Sequence, residues 1–204
     1  MDDIRKLKAL QLDALREVAN IGAGHAATAL SQMTDHTIMI SVPQINISAL
    51  EDIPNQVGTD EEPVAAVLMK ILGDLTGLAL LIFPQATALR VAGLMMKRTD
   101  VTTLGEIEQS ALREAGNILS AAYLNALSEF MGMILLPSPP SLAIDMSDAV
   151  MSSTFVEMAQ GAEYVFCVET EFHLKELNES LRGFFLLMPD LGSLTAMLRA
   201  IRVG

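Results

Sequence analysis

A carboxylate and an amide three residues apart occur twice in this 204-residue sequence, as Glu17 with Asn20 and as Glu114 with Asn117. A carboxylate can pair with a cation on another molecule, and an amide can both donate to and accept from a water molecule, which orients that water. No nucleophile–base pair is evident, because no histidine is expected near either pair on the same helix face. We therefore expect each pair to complete the active site of a partner protein, as water-positioning side chains do in phosphoryl hydrolysis.

Both pairs belong to a repeat with an offset of 97 residues. At this offset Asp13 falls on Ser110, and Pro43 falls on Pro140. Many apolar positions differ between the two copies, whereas the glutamate and the asparagine are identical. Surface positions without a special role usually change at little cost to stability, so the retention of these polar residues favours a function for them.

Helical periodicity predicts two long helices, at residues 3–33 and 106–131. On a helical wheel of about 100° per residue, Asp13, Glu17 and Asn20 fall within an arc of roughly 60°. The opposite side of the two helices is predicted to face the core, through Leu15, Gly22, Ala26, Met33, Leu112, Leu119, Tyr123 and Phe130. The polar residues are then expected to be exposed and free to meet a partner.

A strand, a β-hairpin and a short helix are predicted after each long helix. Residues 37–47 indicate a strand that Pro43 confines to a sheet edge or interrupts with a bulge, and the acidic residues 51–63 indicate a solvated loop. The other predicted elements are strands at 64–72, 77–83, 133–144 (broken at 137–140), 163–174 and 182–188, and helices at 85–97, 147–158 and 191–201.

This order predicts an α+β fold, internally duplicated with pseudo-twofold symmetry, in which a mostly antiparallel sheet is packed with the two long helices that carry the motif. We expect residues 1–204 to form a single domain made of two repeats, about 1–100 and 101–204. Each half alone would leave its sheet face uncovered.

Composition argues against several classes of partner. The formal net charge is −12, and a surface this acidic repels nucleic acid and anionic membranes. The single cysteine, Cys167, lies in an apolar run and is expected to be a buried small hydrophobe. His25, His36 and His173 are scattered without metal-ligand spacing, so no metal site is predicted. The acidic N-terminus lacks an apolar signal region, and we expect a cytoplasmic protein.

The pattern Asp/Ser-x3-Glu-x2-Asn-x22-Pro, complete at residues 13–43 and again at 110–140, resembles that of the CheC family of chemotaxis phosphatases, which is related to CheX and FliY. The resemblance covers nearly the whole chain. It implies a CheC-like fold and an enzyme that hydrolyses the aspartyl-phosphate of the response regulator CheY. Two motifs in one chain are similar to CheC rather than to CheX, which has one.

The family resemblance also implies roles for the motif residues. Glu17 and Glu114 are expected to pair with the lysine of the receiver domain of CheY, while Asn20 and Asn117 orient the attacking water. Phosphorylated CheY is expected to supply the Mg²⁺ ion and the phosphorylated aspartate, so the chain needs no cofactor of its own. The prolines of the pattern, Pro43 and Pro140, are expected to shape the neighbouring backbone.

Three positions have more than one interpretation. Asp13 and Ser110, at the start of the motifs, either support docking or are ordinary residues of the helix surface. The receptor deamidase CheD is the second partner that the resemblance implies, and Asp145 is a candidate contact with it. Asp145 equally has the position of a cap for the helix predicted at 147–158.

Two other functions remain open. One is a non-catalytic adaptor that holds CheD or CheY, because the motif offers nothing beyond a carboxylate and an amide. The other is a component of the flagellar switch related to FliY, although no sequence feature requires it. The sequence does not rank the two motifs, but Gly22 and Gly24 are expected to loosen the first helix and favour the second motif.

Overall fold

The structure is a computed structural model that describes residues 9–49, 52–53, 62–158 and 164–203. Residues 3–8 of the first predicted helix lie outside the described residues. In chain order the helices and strands are α1 (Ala9–Thr34), β1 (Ile38–Ser41), β2 (Ile45–Ala49), β3 (Pro63–Gly73), β4 (Gly77–Pro84), α2 (Gln85–Met95), α3 (Glu106–Met131), β5 (Leu135–Pro137), β6 (Ser141–Met146), α4 (Ser147–Met158), β7 (Tyr164–Leu174), β8 (Glu179–Pro189) and α5 (Leu191–Val203).

One eight-stranded sheet runs through both halves of the chain. Its order is β1-β7-β8-β4-β3-β5, with β2 continuing β1 along β7 and β6 continuing β5 along β3. Every strand pairing among the described residues is antiparallel. The hairpins β3–β4 and β7–β8 meet at the central β4–β8 pair, and the strands that follow α1 and α3 form the two outer edges. The predicted α+β fold, its duplication and its pseudo-twofold arrangement are therefore confirmed.

Each outer edge contains a one-residue bulge at the motif proline. On the first edge, residues 42–44 lie between the pairs Ser41–Glu171 and Ile45–Val168, so three residues face two. On the second edge, residues 138–140 lie between the pairs Pro137–Ile71 and Ser141–Leu68 and again face two. Proline lacks a backbone N–H and is suited to a position where the hydrogen-bonded ladder is interrupted. The edge-or-bulge prediction for Pro43 is confirmed in both respects.

The two faces of the sheet bury different side chains. Along β3, Ala65, Val67 and Met69 point into the core beneath α1, α2, α3 and α5. Val64 and Ala66 point the other way, into a smaller cluster with Val150 and Met151 of α4. This alternation is the period of two that a strand buried on both faces requires. The helices that carry the motif thus share one face of the sheet.

Glycine lets α1 and α3 come close together. A Cβ atom at Gly22 would lie 3.0 Å from the carbonyl oxygen of Ala122 and 3.1 Å from the Cα atom of Tyr123. Gly24, by contrast, has nothing within 4 Å of a Cβ position. The interpretation of Gly22 as a loosening residue is therefore wrong, because it is buried in the contact between the two helices.

Three details of the predicted core differ in the structure. Met33 and Phe130 are 40% and 37% exposed, although the wheel places them on the core face. Both lie in the last turn of a 26-residue helix, where the buried side chains are Leu30 and Thr34 in α1 and Leu127 in α3. Within the loop predicted at 51–63, Ile53 is completely buried in the cluster under α4. Residue 51 and residues 54–61 of that loop lie outside the described residues. The helices of the described ranges include none that is both long and apolar enough to cross a membrane.

Candidate active site

The two motif glutamates lie on the side of the helices that faces away from the sheet. Glu17 and Glu114 are both exposed, whereas the neighbouring Val18 and Ala115 are buried. One turn of helix holds each glutamate close to the asparagine three residues later. Each motif therefore presents a solvent-accessible carboxylate, as the helical wheel predicts.

The amide of Asn20 is held by two backbone groups. Its Nδ2 atom donates to the carbonyl oxygen of Arg16 over 3.0 Å, and its Oδ1 atom accepts from the backbone N–H of Val42 over 3.1 Å. Val42 lies in the bulge, immediately before Pro43, and its side chain is buried. The bulge thus brings the edge strand to the motif helix, and Asn20 is only half exposed as a result.

The amide of Asn117 has a different environment. It is also half exposed, but within the described part of the chain its side chain has no hydrogen bond to protein. The residue that corresponds to Val42 at the 97-residue offset is Pro139. Proline has no backbone N–H, so the bond that Val42 makes to Asn20 has no counterpart in the second copy.

The first motif positions also differ. The carboxylate of Asp13 lies 3.8 Å from the guanidinium group of Arg16, and both side chains are exposed. Ser110 is exposed at the equivalent position and carries no charge. An exposed ion pair of this kind contributes little to stability, so the contact is compatible with an ordinary helix-surface role. Whether Asp13 or Ser110 supports docking stays a prediction.

The motif prolines line the outer edges of the sheet, with Pro43 exposed and Pro140 half buried. Asp145 lies in β6, where it pairs with Val64 and is exposed. Its Oδ1 atom accepts from the backbone N–H of Met146 over 2.8 Å, rather than from the first turn of α4. The helix-capping alternative is therefore not the arrangement observed, and the contact with CheD stays a prediction.

A serine and a histidine meet beside the first motif, which the spacing of residues in the sequence did not suggest. The antiparallel pairing of β1 with β7 brings Nε2 of His173 to 3.3 Å from Oγ of Ser41, one residue before Val42. The same nitrogen lies 3.5 Å from the carboxylate of Glu171, and Nδ1 contacts Ser180 at 2.9 Å. A catalytic triad needs the carboxylate on the other ring nitrogen, so we interpret this group as a polar cross-strand cluster.

The chemistry that the two motifs have in common is that of one carboxylate and one amide. Cys167 is only 3% exposed, and burial raises the pKa of its thiol to about 12, as expected for a buried small residue. Across the described ranges, no three His, Cys, Asp or Glu side chains are grouped closely enough to hold a metal ion. A carboxylate and an amide on an exposed helix face suit the recognition of a second molecule and the orientation of a water.

Sequence reasoning selected the motif side chains as candidates and did not include the backbone group of Val42. The signal was present in the sequence, because alignment at the 97-residue offset puts Pro139 opposite Val42. The difference is visible only when the bulge is known to lie against the motif helix. The i, i+3 spacing of Asp13 and Arg16 was likewise sufficient to predict their ion pair.

Comparison with known proteins identifies the fold and the duplication together. The CheC-like family matches the chain twice, at residues 10–47 and 107–144, which are again 97 residues apart. The CheY-P phosphatase CheC of Bacillus subtilis is 33% identical over 199 residues, covering 96% of this chain and 95% of the relative. A putative CheY-P phosphatase, CheC1 of Halobacterium salinarum, is 27% identical over 203 residues, 98% of each chain.

A solved structure gives the same result for the architecture. The X-ray structure of Thermotoga maritima FliY matches with a TM-score of 0.80 at 25% sequence identity, over 97% of this chain and 98% of that one. The two matched segments contain both complete Glu-x-x-Asn pairs and both bulge prolines. From the near-complete match to a relative that is one third identical, the chain belongs to the CheC-like family.

Proposed function

We propose that this protein is a chemotaxis phosphatase that accelerates hydrolysis of the aspartyl-phosphate of phosphorylated CheY. It has two quasi-equivalent sites, one on α1 and one on α3. The receiver domain contributes the phosphorylated aspartate, together with a Mg²⁺ ion that offsets the charge on the phosphoryl oxygens. This protein contributes docking and the positioning of water.

The glutamates dock the receiver in this mechanism. Glu17 and Glu114 are exposed carboxylates on one side of long helices, where they can pair with the receiver lysine that the family resemblance implies. Charge pairs between two proteins favour the correct encounter and fix its register. Docking through either glutamate would place the asparagine one turn away beside the phosphoryl group.

The asparagines place the water. The Oδ1 atom of an amide accepts a hydrogen bond from a water while Nδ2 donates, so the water is held with a lone pair directed at phosphorus. Holding a nucleophile in line replaces an unfavourable encounter from bulk solvent with an intramolecular one. Asn20 and Asn117 do not titrate and need only reach the water, which half-exposed side chains allow.

The observation that carries this proposal is the duplication of an exposed glutamate and an accessible asparagine on equivalent helix faces. The fold needs neither side chain for its core, because both glutamates are solvent-exposed and both asparagines lie at the rim. The names of the two CheC relatives, a CheY-P phosphatase and a putative CheY-P phosphatase, agree with this chemistry.

A double substitution, Asn20→Ala with Asn117→Ala, tests the mechanism. We expect the variant to bind phosphorylated CheY as well as the wild type, because the glutamates are intact. It should lose the acceleration of dephosphorylation, by roughly 100-fold or more if water positioning supplies a typical share of catalysis. Phosphate release and binding are measured on the same preparations.

A matched control uses the other exposed asparagine of α3. Asn125 lies outside the motif, and Asn125→Ala should retain wild-type acceleration. If the double variant speeds phosphate loss as well as the wild type does, the role assigned to the asparagines is wrong.

An adaptor function is the main alternative. An adaptor would bind phosphorylated CheY or CheD without turnover. With phosphorylated CheY in excess, release of several phosphates per molecule of this protein, above the receiver's own rate, is incompatible with an adaptor. The likeness to FliY favours a third function as a switch component, for which co-sedimentation with flagellar switch proteins is the measurement.

A further inference from the structure

The two motifs have the same side chains but different backbones beside them. In the first copy, the Asn20 amide makes two hydrogen bonds to backbone groups. It donates to the Arg16 carbonyl oxygen and accepts from the Val42 N–H. An amide has two N–H groups and an oxygen with two lone pairs. The two bonds therefore occupy half of the hydrogen-bonding capacity of Asn20 and turn the amide back towards its own protein.

We call the hydrogen bond from the Val42 N–H to Asn20 the latch. The second copy lacks this bond for a covalent reason. Pro139 occupies the position of Val42, immediately before the motif proline, and its nitrogen carries no hydrogen. Both positions lie in the bulge of an outer edge, Val42 as the first of its three residues and Pro139 as the second. The first residue of the second bulge, Ser138, donates its backbone N–H to the carbonyl oxygen of Lys70 over 2.8 Å and not to Asn117. Asn117 has no side-chain hydrogen bond within the described part of the chain, so its amide can turn outward without breaking one.

We propose that the residue before each motif proline is a positioning residue that makes the two sites unequal in activity. Asn117 performs most of the hydrolysis, and Asn20 contributes less. This inference rests on the proposed phosphatase function. To reach a water on the receiver, Asn20 must exchange the Val42 bond for a bond to that water. One hydrogen bond of ordinary strength corresponds to a shift of roughly two- to tenfold in an equilibrium.

Single-site proteins measure the inequality directly. The Asn117→Ala variant works only through the first motif, and the Asn20→Ala variant only through the second. We expect Asn117→Ala to lower kcat several-fold more than Asn20→Ala, with KM for phosphorylated CheY similar in both. A larger loss from Asn20→Ala, or equal losses, would overturn the inference.

Exchange of the neighbouring residue tests the cause. In the Asn117→Ala background, Val42→Pro removes the N–H and should raise the residual kcat roughly two- to tenfold. Val42→Ala is the matched control, because it keeps the N–H and should leave kcat low. In the Asn20→Ala background, Pro139→Val and Pro139→Ala both introduce an N–H and should both lower kcat by a similar factor.

The readouts separate a latch from a merely structural effect. A structural role would change the unfolding midpoint or KM, whereas a latch changes kcat alone. If Val42→Pro does not fold, the two Pro139 variants decide, and unchanged kcat in both contradicts the latch. If the double asparagine variant keeps full acceleration, the proposed function itself fails. If the double asparagine variant loses acceleration but substitutions at positions 42 and 139 do not change kcat, the proposed function stands and this inference is wrong.

Discussion

The exposed glutamates are the residues best placed to act on a partner without affecting the fold. Glu17 and Glu114 make no described ion pair that would compete with a cation from outside. At the level of single residues, their removal should therefore change recognition and not stability. The amides differ, since one is held by the backbone and one is not.

Substitution of both glutamates, Glu17→Gln with Glu114→Gln, keeps the shape of the side chains and removes their charge. We expect KM for phosphorylated CheY to rise roughly tenfold, because a charge pair across the interface is lost, while kcat changes less. The rise should shrink at high salt, which screens the wild-type pair. Initial-rate kinetics at two ionic strengths measure both effects.

Glu129 provides the control for charge alone. It is exposed near the end of α3 and outside the motif, so Glu129→Gln should leave KM unchanged. A loss confined to kcat in the double glutamine variant would contradict a docking role.

The buried thiol and phenol predict a loss of stability in alkali. Burial raises the pKa of Cys167 from 9.0 to about 12 and that of Tyr123 from 10.0 to about 12. The folded state therefore keeps protons that the unfolded chain releases, first above pH 9 and then also above pH 10. Stability from each group is fully present below these values and falls by about 1.4 kcal/mol per pH unit until the folded pKa is reached.

Urea unfolding between pH 7 and pH 11 tests this sign. The free energy of unfolding of the wild type should begin to fall near pH 9, whereas Cys167→Ala has no thiol to titrate. The difference in the free energy of unfolding between the two proteins should therefore become smaller above pH 9. Tyr123→Phe should lose the hydrogen bond of 3.0 Å to Thr170. The difference in the free energy of unfolding between wild type and Tyr123→Phe should become smaller only above pH 10. Parallel profiles for wild type and Cys167→Ala would show that the buried thiol does not contribute.

At the level of elements, close packing fixes how the motif helices lie on the sheet. A Cβ atom at Gly116 would approach three side-chain atoms of Val67 at 2.7–2.9 Å, so α3 rests directly on β3 next to Asn117. The first helix gains a similar close approach to α3 at Gly22. The positions of the motifs relative to the sheet therefore depend on small residues and not on the motif itself.

Two glycine substitutions should have opposite effects. Gly116→Ala overpacks a completely buried contact and should destabilise the protein by about 1–3 kcal/mol. Gly24→Ala meets open space and improves helix propensity, so it should stabilise by up to about 1 kcal/mol. Urea unfolding of the two variants gives both values.

The partner of the overpacked contact offers a compensating change. Val67→Ala alone leaves a cavity, but in the Gly116→Ala background it should cost less, because the smaller side chain makes room for the new methyl group. If the losses in free energy of unfolding from the two substitutions are additive, the effect of Gly116→Ala does not come from its contact with Val67.

Most elements were predictable because their signals are local. The bounds of α3 and α4 agree with the periodicity, and the break in each edge strand follows from its prolines. The exposure of Met33 and Phe130 was not predictable, because a wheel gives the direction of a side chain but not which part of the helix face other elements cover at each turn. The bond between Asn20 and Val42 joins residues from two elements, so it depends on packing.

At the scale of the whole molecule, the sheet connects the two repeats through its centre. The β4–β8 pairing runs from Gly77–Pro189 to Ile82–Phe184, and both strands are buried on both faces. On its other side each central strand pairs within its own hairpin, β4 with β3 and β8 with β7, so the β4–β8 pairing joins the two halves. This arrangement leads us to propose that the two repeats fold as one unit and not as two linked domains.

Separate expression of residues 1–100 and 101–204 tests that proposal. Each half should lack cooperative unfolding, because an apolar strand edge and one side of the helix–helix contact would be exposed to water. Mixing the halves should restore a cooperative transition, measured by circular dichroism during heating. The control is the full chain cut at a protease site inserted between the exposed Thr102 and Thr103, which should stay assembled. Cooperative unfolding of an isolated half would contradict the proposal.

The hydrogen on the Val42 nitrogen also makes the first motif observable in solution. Asn20 accepts a hydrogen bond from the Val42 N–H. The exchange of this backbone hydrogen with deuterium and its NMR chemical shift therefore report on the position of the Asn20 side-chain amide. A partner that draws Asn20 outward would leave the Val42 amide free to exchange with solvent. Pro139 contributes no such signal, so the second motif has to be followed through the side-chain NH₂ resonances of Asn117. One spectrum can therefore distinguish occupancy of two sites that share the same motif.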